Sequence, residues 1–304
     1  MKASVDVVIP MYRPDEKAAL LLEKLLKQNY PIDHIWIMNT NKNFWNDNLD
    51  KISDKIIVEH IEKSEFDHGG TRHRAIMKSR ADIVVCMTQD AIPADRKLIG
   101  ALVNAIGERD AGAAYARQLP AKDCGVIERY TRQFNYPPQS RIKSREDLDT
   151  LGIKTYFCSN VCAAYDRKLY EEQGGFIRRT IFNEDMIYAA GLIKAGYRIA
   201  YAADARVIHS HNYSGREQLH RNFDLAVSQA DHPEIFQDVP SEGEGIRMMK
   251  KTAVCLMKTK PYLIPKLIWL SGMKYLGYFL GKRYRKLPKR LVQKLTMNAD
   301  YWEK

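Results

Sequence analysis

Residues 83–88 (IVVCMT) constrain the fold more than any other stretch of this chain. An uncharged, β-branched and apolar run of this length, closed by Gln89-Asp90, reads as a strand covered on both faces. Such a strand needs packed layers above and below it, which predicts an α/β fold with helices on both sides of a mainly parallel sheet. The neighbouring segments supply the rhythm. Runs at 5–9, 35–38 and 56–58 read as further strands, the first ending at Pro10 and the second at Asn39-Thr40-Asn41. Between the first two, 15–28 reads as an amphipathic helix with Leu20, Leu21, Leu25 and Leu26 at helical spacing. Helices at 71–79 and 95–107 and a strand at 112–117 continue the alternation. In sheets of this kind ligands bind beyond the carboxyl ends of the strands. The polar residues after Pro10, Met38 and Thr88 are therefore expected along one edge.

Residues 119–150 are polar and carry Pro120, Pro137 and Pro138, so they read as a long excursion, a lid or an acceptor-side loop. Beyond it come a strand-like segment at 156–164, a helix at 183–194 stopped near Gly196, short strands at 197–201 and 206–209, and a helix at 216–230. Residues 241–245 read as a linker, after which the composition changes. The whole chain carries +11, yet from residue 246 onward there are 15 Lys/Arg against two acids, Asp300 and Glu303. That asymmetry points to an anionic partner for the tail. Residues 262–281 are rich in Leu, Ile, Tyr, Trp and Phe, but Lys266 and Lys274 leave uncharged stretches of only seven residues. A spanning helix needs about 20, so the segment is expected to lie on a bilayer and not to cross it. Seven basic residues follow it (Lys282, Arg283, Arg285, Lys286, Lys289, Arg290 and Lys294). Each is worth on the order of 1 kcal/mol against anionic lipid. A helix docked on the main domain with a solvated basic face is the other reading.

Residues 1–10 hold no apolar stretch long enough for a secretory signal. The five cysteines are odd in number and form no CxxC pair, and Cys86, Cys158 and Cys162 sit in apolar runs. They read as reduced structural thiols in a cytoplasmic chain.

Four constellations carry chemistry. Met87-Thr88-Gln89-Asp90-Ala91-Ile92-Pro93 puts an acid at the end of the buried strand, where it reads as a turn cap or as an oxygen ligand for Mg²⁺ or Mn²⁺. Phe182-Asn183-Glu184-Asp185 opens a helix with paired acids, which either suit the helix dipole or supply a general base. In Val207-Ile208-His209-Ser210-His211-Asn212-Tyr213, two histidines two apart on a strand project to one face, as satisfied polar residues or as metal ligands. Phe66-Asp67-His68-Gly69-Gly70-Thr71-Arg72-His73-Arg74 places glycines and arginines at a helix start, a pattern that lets backbone approach an anion but fits neither a P-loop nor a dinucleotide fingerprint.

Taken in order, these motifs resemble family 2 glycosyltransferases of the GT-A fold, and within them the bacterial rhamnosyltransferase-like branch. The resemblance runs from Val8-Ile9-Pro10-Met11-Tyr12 through Arg221-Asn222-Phe223-Asp224 to 277–288 and Tyr301-Trp302. It implies a GT-A catalytic domain over 1–215, with its nucleotide-sugar half at 1–118 and its acceptor half at 119–215. A helical, basic, membrane-associating extension over 216–304 follows. Pro10 and Tyr12 would hold the nucleotide, and Asn39 stands where the family often has an Asp recognising the base. Asp67 would lie near the base and Arg72 near the diphosphate. Thr88-Gln89-Asp90 stands at the family's DxD motif, so Asp90 would be the metal carboxylate, with Gln89 on the sugar. His209 would be the second metal ligand, with His211 as the alternate, and Glu184 and Tyr213 would face the acceptor. Asp185 matches the catalytic base. The implied reaction is a single inverting displacement aided by Mn²⁺ or Mg²⁺. The implied donor is dTDP-L-rhamnose and the acceptor a glycan or lipid-linked saccharide of bacterial surface polysaccharide. The implied place is the inner face of the cell membrane, bound peripherally.

Other classes fit less well. A UDP-sugar donor would use the same fold. A sugar nucleotidyltransferase wants a Gly-rich basic loop after the first strand, where this chain has Tyr12-Arg13-Pro14. The basic tail carries no nucleic-acid reading motif. Glycosidases also use two carboxylates, but the sheet edge and the basic loop favour transfer over hydrolysis.

Overall fold

The computed structural model describes residues 2–237, 239 and 242–303. In chain order the elements are β1 (Val5–Tyr12), α1 (Glu16–Leu26), β2 (His34–Thr40), β3 (Ile56–Ile61), α2 (His68–Lys78), β4 (Ile83–Met87), β5 (Ile92–Pro93) and α3 (Leu98–Gly107). Then come β6 (Ala111–Leu119), α4 (Val126–Asn135), β7 (Arg141–Lys143), α5 (Leu148–Leu151), β8 (Cys162–Asp166), α6 (Arg167–Glu172), α7 (Glu184–Lys194) and β9 (Arg198–Ile208). The chain closes with α8 (Gly215–Asp231), α9 (Pro233–Phe236), α10 (Glu242–Thr259), α11 (Ile264–Gly281) and α12 (Lys289–Leu295). The described residues divide into two compact units.

The first unit comprises 2–121, 136–179 and 184–209 and holds the sheet. Strand order is β3-β2-β1-β4-β8-β6-β9-β5, with β7 on β9. The pairs β1–β2, β2–β3, β1–β4 and β6–β9 are parallel. Strand β8 runs against both β4 and β6. It follows that β1, β2, β3, β4, β6 and β9 all point the same way, and their carboxyl ends share one edge. Every residue of β4 is buried, as a strand between two helical layers requires. On α1, Asp15 caps the first turn, and the buried stripe is Ala18, Leu21, Leu22 and Leu25. Leu20, grouped with that stripe from sequence, faces solvent instead.

Three other expectations change. The excursion at 119–150 contains α4, β7 and α5. The strand expected at 156–164 starts only at Cys162. The reason lies in Lys143, which is buried and donates to the carbonyls of Lys154 and Phe157, so this backbone turns where it would otherwise pair. The strands expected at 197–201 and 206–209 are one strand, β9, whose register on β6 slips between Ala116 and Arg117. That irregularity absorbs Ala203, Asp204 and Ala205 without ending the strand.

The second unit comprises 122–135, 180–183 and the described residues from 210 onward. Of the expected linker at 241–245, Ser241 lies outside the described residues and the remainder opens α10. Ser214 and Glu217 form a capping box that starts α8. Helices α8 and α11 lie together along their lengths because α11 presents glycine to its partner. A Cβ at Gly277 would collide with the Leu219 carbonyl oxygen, and one at Gly281 with that of Phe223. A small core of Ile181, Phe223, Val227 and Val292 closes the far end under Tyr301 and Trp302. Among the described residues no helix is long and apolar enough to cross a membrane.

Candidate active site

The shared strand edge of the first unit gathers most of the expected residues. Tyr12 ends β1 with its ring edge-on to Phe44 at 5.7 Å. Arg13 lies over both rings, 5.2 Å from the Tyr12 centroid and 4.4 Å from that of Phe44. This makes a partly exposed aromatic platform with a cation beside it. Pro10 sits two residues earlier, in register with Met38. The Gln89 carboxamide is tied to the Tyr12 peptide, accepting from Tyr12 N at 2.8 Å and donating to Tyr12 O at 3.1 Å.

Asn39, expected at a nucleotide base, is fully buried. Its Nδ2 donates to the Asn41 carbonyl at 3.2 Å and meets His60 Nδ1 at 3.0 Å. It therefore fixes the turn after β2 from beneath, with His60 packed against Trp45 above it. Asp67 takes the part of a helix cap: its carboxylate accepts from the amides of Gly69 and Gly70 at the start of α2.

At the ends of β4 and β9, Asp90 and His209 come together, with Asp90 Oδ2 3.4 Å from His209 Nε2. His209 Nδ1 lies 3.0 Å from Gln118 Oε1, while Gln118 Nε2 donates to Ser159. A carboxamide oxygen can only accept, so this contact puts the proton of a neutral imidazole on Nδ1 and leaves the Nε2 lone pair towards Asp90. Two electron-rich atoms facing each other at that distance suit a cation held between them. Oxygen and imidazole nitrogen are a donor set that Mn²⁺ and Mg²⁺ accept, Mn²⁺ the more readily. His211 follows His209 by two residues and opens the second unit, where its ring stacks on Tyr213 at 4.9 Å.

The paired acids at the start of α7 have unlike environments. Glu184 is buried and lies 3.2 Å from Arg72, itself buried on α2, and also accepts from Asn160 Nδ2 at 3.1 Å. Burial alone would raise its pKa, but Arg72, then His68 and Asn160, hold it below the usual carboxylate value. Arg72, expected at a diphosphate, and Glu184, expected at an acceptor, thus form an ion pair inside the protein, with the buried Arg72 Nε left without a hydrogen-bond partner. Asp185 is different. It keeps part of its surface open. Its oxygens accept from Asn160 N at 2.8 Å and Met186 N at 2.7 Å. Burial first and the Glu184 charge second push its carboxyl up to about 7. A carboxylate with that pKa can take a proton near neutrality. Asn160, Gln118 and Phe44 were not singled out from sequence. The one available signal was a polar residue at the end of an otherwise alanine-rich strand, at Gln118.

In the second unit, Arg221 lies over Phe182 at 4.8 Å and over Tyr213 at 5.8 Å. Tyr213 thus meets both a histidine ring and a guanidinium.

The curled sheet, with a carboxylate–imidazole pair and a raised-pKa acid at the carboxyl ends of its strands, is that of a GT-A glycosyltransferase. Residues 6–174 match the family described as Glycosyl transferase family 2, and the chain belongs to that family. It is 38% identical to the O-antigen chain rhamnosyltransferase RfbN of Salmonella typhimurium, over 98% of this chain and 96% of that protein. It is 41% identical to the O-antigen chain rhamnosyltransferase WbaN of Salmonella anatum, over 82% of this chain and 79% of that one. Among solved structures, the fold is like that of the mannosyltransferase PcManGT from Pyrobaculum calidifontis in complex with GDP-Man and Mn²⁺, with TM-score 0.56 and 16% identity, covering 100% of this chain and 88% of that one. S. aureus TarS 1-349 in complex with UDP-GlcNAc is similar at TM-score 0.52 and 15% identity, covering 93% and 92%.

Proposed function

We propose that this glycosyltransferase moves L-rhamnose from dTDP-L-rhamnose, with inversion, onto a hydroxyl of a lipid-linked saccharide during bacterial surface polysaccharide synthesis. The observation that carries the reading is the likeness to two O-antigen chain rhamnosyltransferases over most of the chain, joined to a base-competent Asp185 at the strand edge. The catalytic domain would be 1–215, with 216–304 as its extension.

In this reading Asp90 and His209 hold a divalent cation, Mn²⁺ or Mg²⁺, with His211 as the alternate to His209. Bound there, such an ion supplies positive charge for a nucleoside diphosphate. Gln118 keeps the imidazole in the ligating tautomer. Tyr12, Phe44 and Arg13 offer a stacking face and a charge to the nucleotide, and Gln89 keeps that face fixed. Asp185 accepts the proton of the acceptor hydroxyl as its oxygen attacks the anomeric carbon. The anomeric carbon–oxygen bond to the diphosphate breaks in the same step, and the nucleoside diphosphate leaves. Asn160 and Met186 N–H groups hold the carboxylate in place, and burial with the Glu184 charge keeps Asp185 basic. Tyr213, held by Arg221, faces the acceptor.

The test is to incubate the protein with Mn²⁺, a lipid-linked saccharide and a panel of dTDP-, UDP- and GDP-sugars, and to measure released nucleotide. Turnover of dTDP-L-rhamnose, lost in Asp185→Asn with nucleotide binding retained, is expected. Preference for a UDP-sugar overturns the donor assignment, and no turnover of any donor overturns the whole reading.

A further inference from the structure

The outer face of α11 is built the wrong way round for a helix in water. A surface helix turns its apolar stripe inward and its charges outward. Here the inward face is Leu267, Gly277 and Gly281, all buried, the two glycines against α8. The outward face carries Ile268 and Tyr275, each at 63% exposure, together with Leu276 and Phe279, while Trp269 lays its indole edge against Gly215 of α8. At about 100° per residue these four span an arc of about 100°, centred opposite the glycine face. Gly272 falls within the same arc and looks onto open space. Helix α10 repeats the pattern, with Val254 and Met257 exposed beside Lys250, Lys251 and Lys258.

Charge says what covers this face. Arg283 lies 3.8 Å from the Phe279 ring centroid, so a long basic side chain borders the apolar arc at one of its aromatic rings. Such an arrangement keeps the charged head at a polar boundary while the stem stays on apolar surface. From residue 246 onward the chain has 15 basic residues and only Asp300 and Glu303 as acids. A second copy would bring the same positive charge and repel. A partner with an apolar interior and an anionic skin meets both demands.

We propose that α11 lies flat on an anionic lipid surface, with Ile268, Tyr275, Leu276 and Phe279 inserted among the acyl chains and Arg283 at the headgroups. The proposal does not rest on the catalytic reading, and its test reads binding alone. The full chain is sedimented with vesicles of phosphatidylcholine, with and without phosphatidylglycerol. Binding is expected to be at least about tenfold stronger to the anionic vesicles and to weaken in high salt. The pair Ile268→Ser with Tyr275→Ser should reduce that binding by about tenfold or more. Its melting temperature should stay that of the parent, because both side chains face outward. Equal affinity for neutral and anionic vesicles, binding to neither, or binding unchanged by the pair each overturns the proposal. So does a dimer in solution that the pair dissolves, since a second copy would then cover the face. Nucleotide release in the same preparations shows whether the catalytic centre is intact, so loss of either property is seen separately.

Discussion

Asp185→Asn should gain stability over the parent as pH rises, even while it loses activity. In the folded chain burial and the Glu184 charge raise the Asp185 carboxyl to about 7, whereas an unfolded aspartate titrates near 3.9, as a rough reference. Between those two values the folded state holds a proton that the unfolded state has released, so the parent loses stability as pH rises through that window and loses no more above it. The full cost is on the order of 4 kcal/mol. It is an upper figure, because Asp185 keeps part of its surface in solvent. Asparagine cannot ionise and carries none of it. Against this, Asp185 satisfies two backbone N–H groups, those of Asn160 and Met186. One carboxamide oxygen serves them less well, at a cost of about 1–3 kcal/mol that does not vary with pH. The difference in unfolding free energy should therefore swing towards the variant by about 2–3 kcal/mol between about pH 5 and about pH 8. Urea unfolding of both proteins at the two pH values measures it. Parallel pH curves would refute the reasoning, because they would mean that Asp185 titrates like an ordinary surface carboxylate. The same raised pKa predicts that kcat/KM climbs as pH rises through about 7.

Three further predictions follow from neighbouring contacts. Arg72→Ala leaves Glu184 buried without its cation and should destabilise the fold by about 3–5 kcal/mol in chemical denaturation; a loss below about 1 kcal/mol would put the pair at a solvated surface. Gln118→Leu removes the acceptor that orients His209 and should weaken Mn²⁺ affinity by about 10–100-fold, read from the metal-dependent rise in melting temperature; unchanged affinity would separate His209 from metal binding. Gly277→Leu has no room against the Leu219 carbonyl oxygen and should cost about 1–3 kcal/mol or more, whereas a stable variant would show that α8 and α11 can part without penalty.

The sequence made the strand–helix rhythm legible because each buried strand is a short apolar run with a polar end, and parallel strands then put those ends on one edge. It also flagged Asp90, His209 and Asp185, since each follows or opens an element at that edge. It misled where a side chain's partner lies far along the chain. Arg72 and Glu184 neutralise one another across more than a hundred positions, and no local pattern distinguishes that from two residues awaiting a ligand. Asp67 caps α2 through the amides of Gly69 and Gly70, a role the motif did not announce beside the nucleotide-side place that the resemblance implies. The strand expected at 156–161 does not form where the Phe157 carbonyl is claimed by a buried lysine, Lys143, which also takes the Lys154 carbonyl just before it.

The doubled amide contact between Gln89 and Tyr12 works as a strut. It fastens the tip of the first strand to the residue just before Asp90, so the stacking platform and the carboxylate are kept at a set spacing before anything binds. The entropy of fixing that spacing is met during folding and not at the moment of recognition. A ligand that bridges platform and carboxylate is thereby measured against a ruler of fixed length, and one with a shorter or longer linkage finds only one end of it at a time.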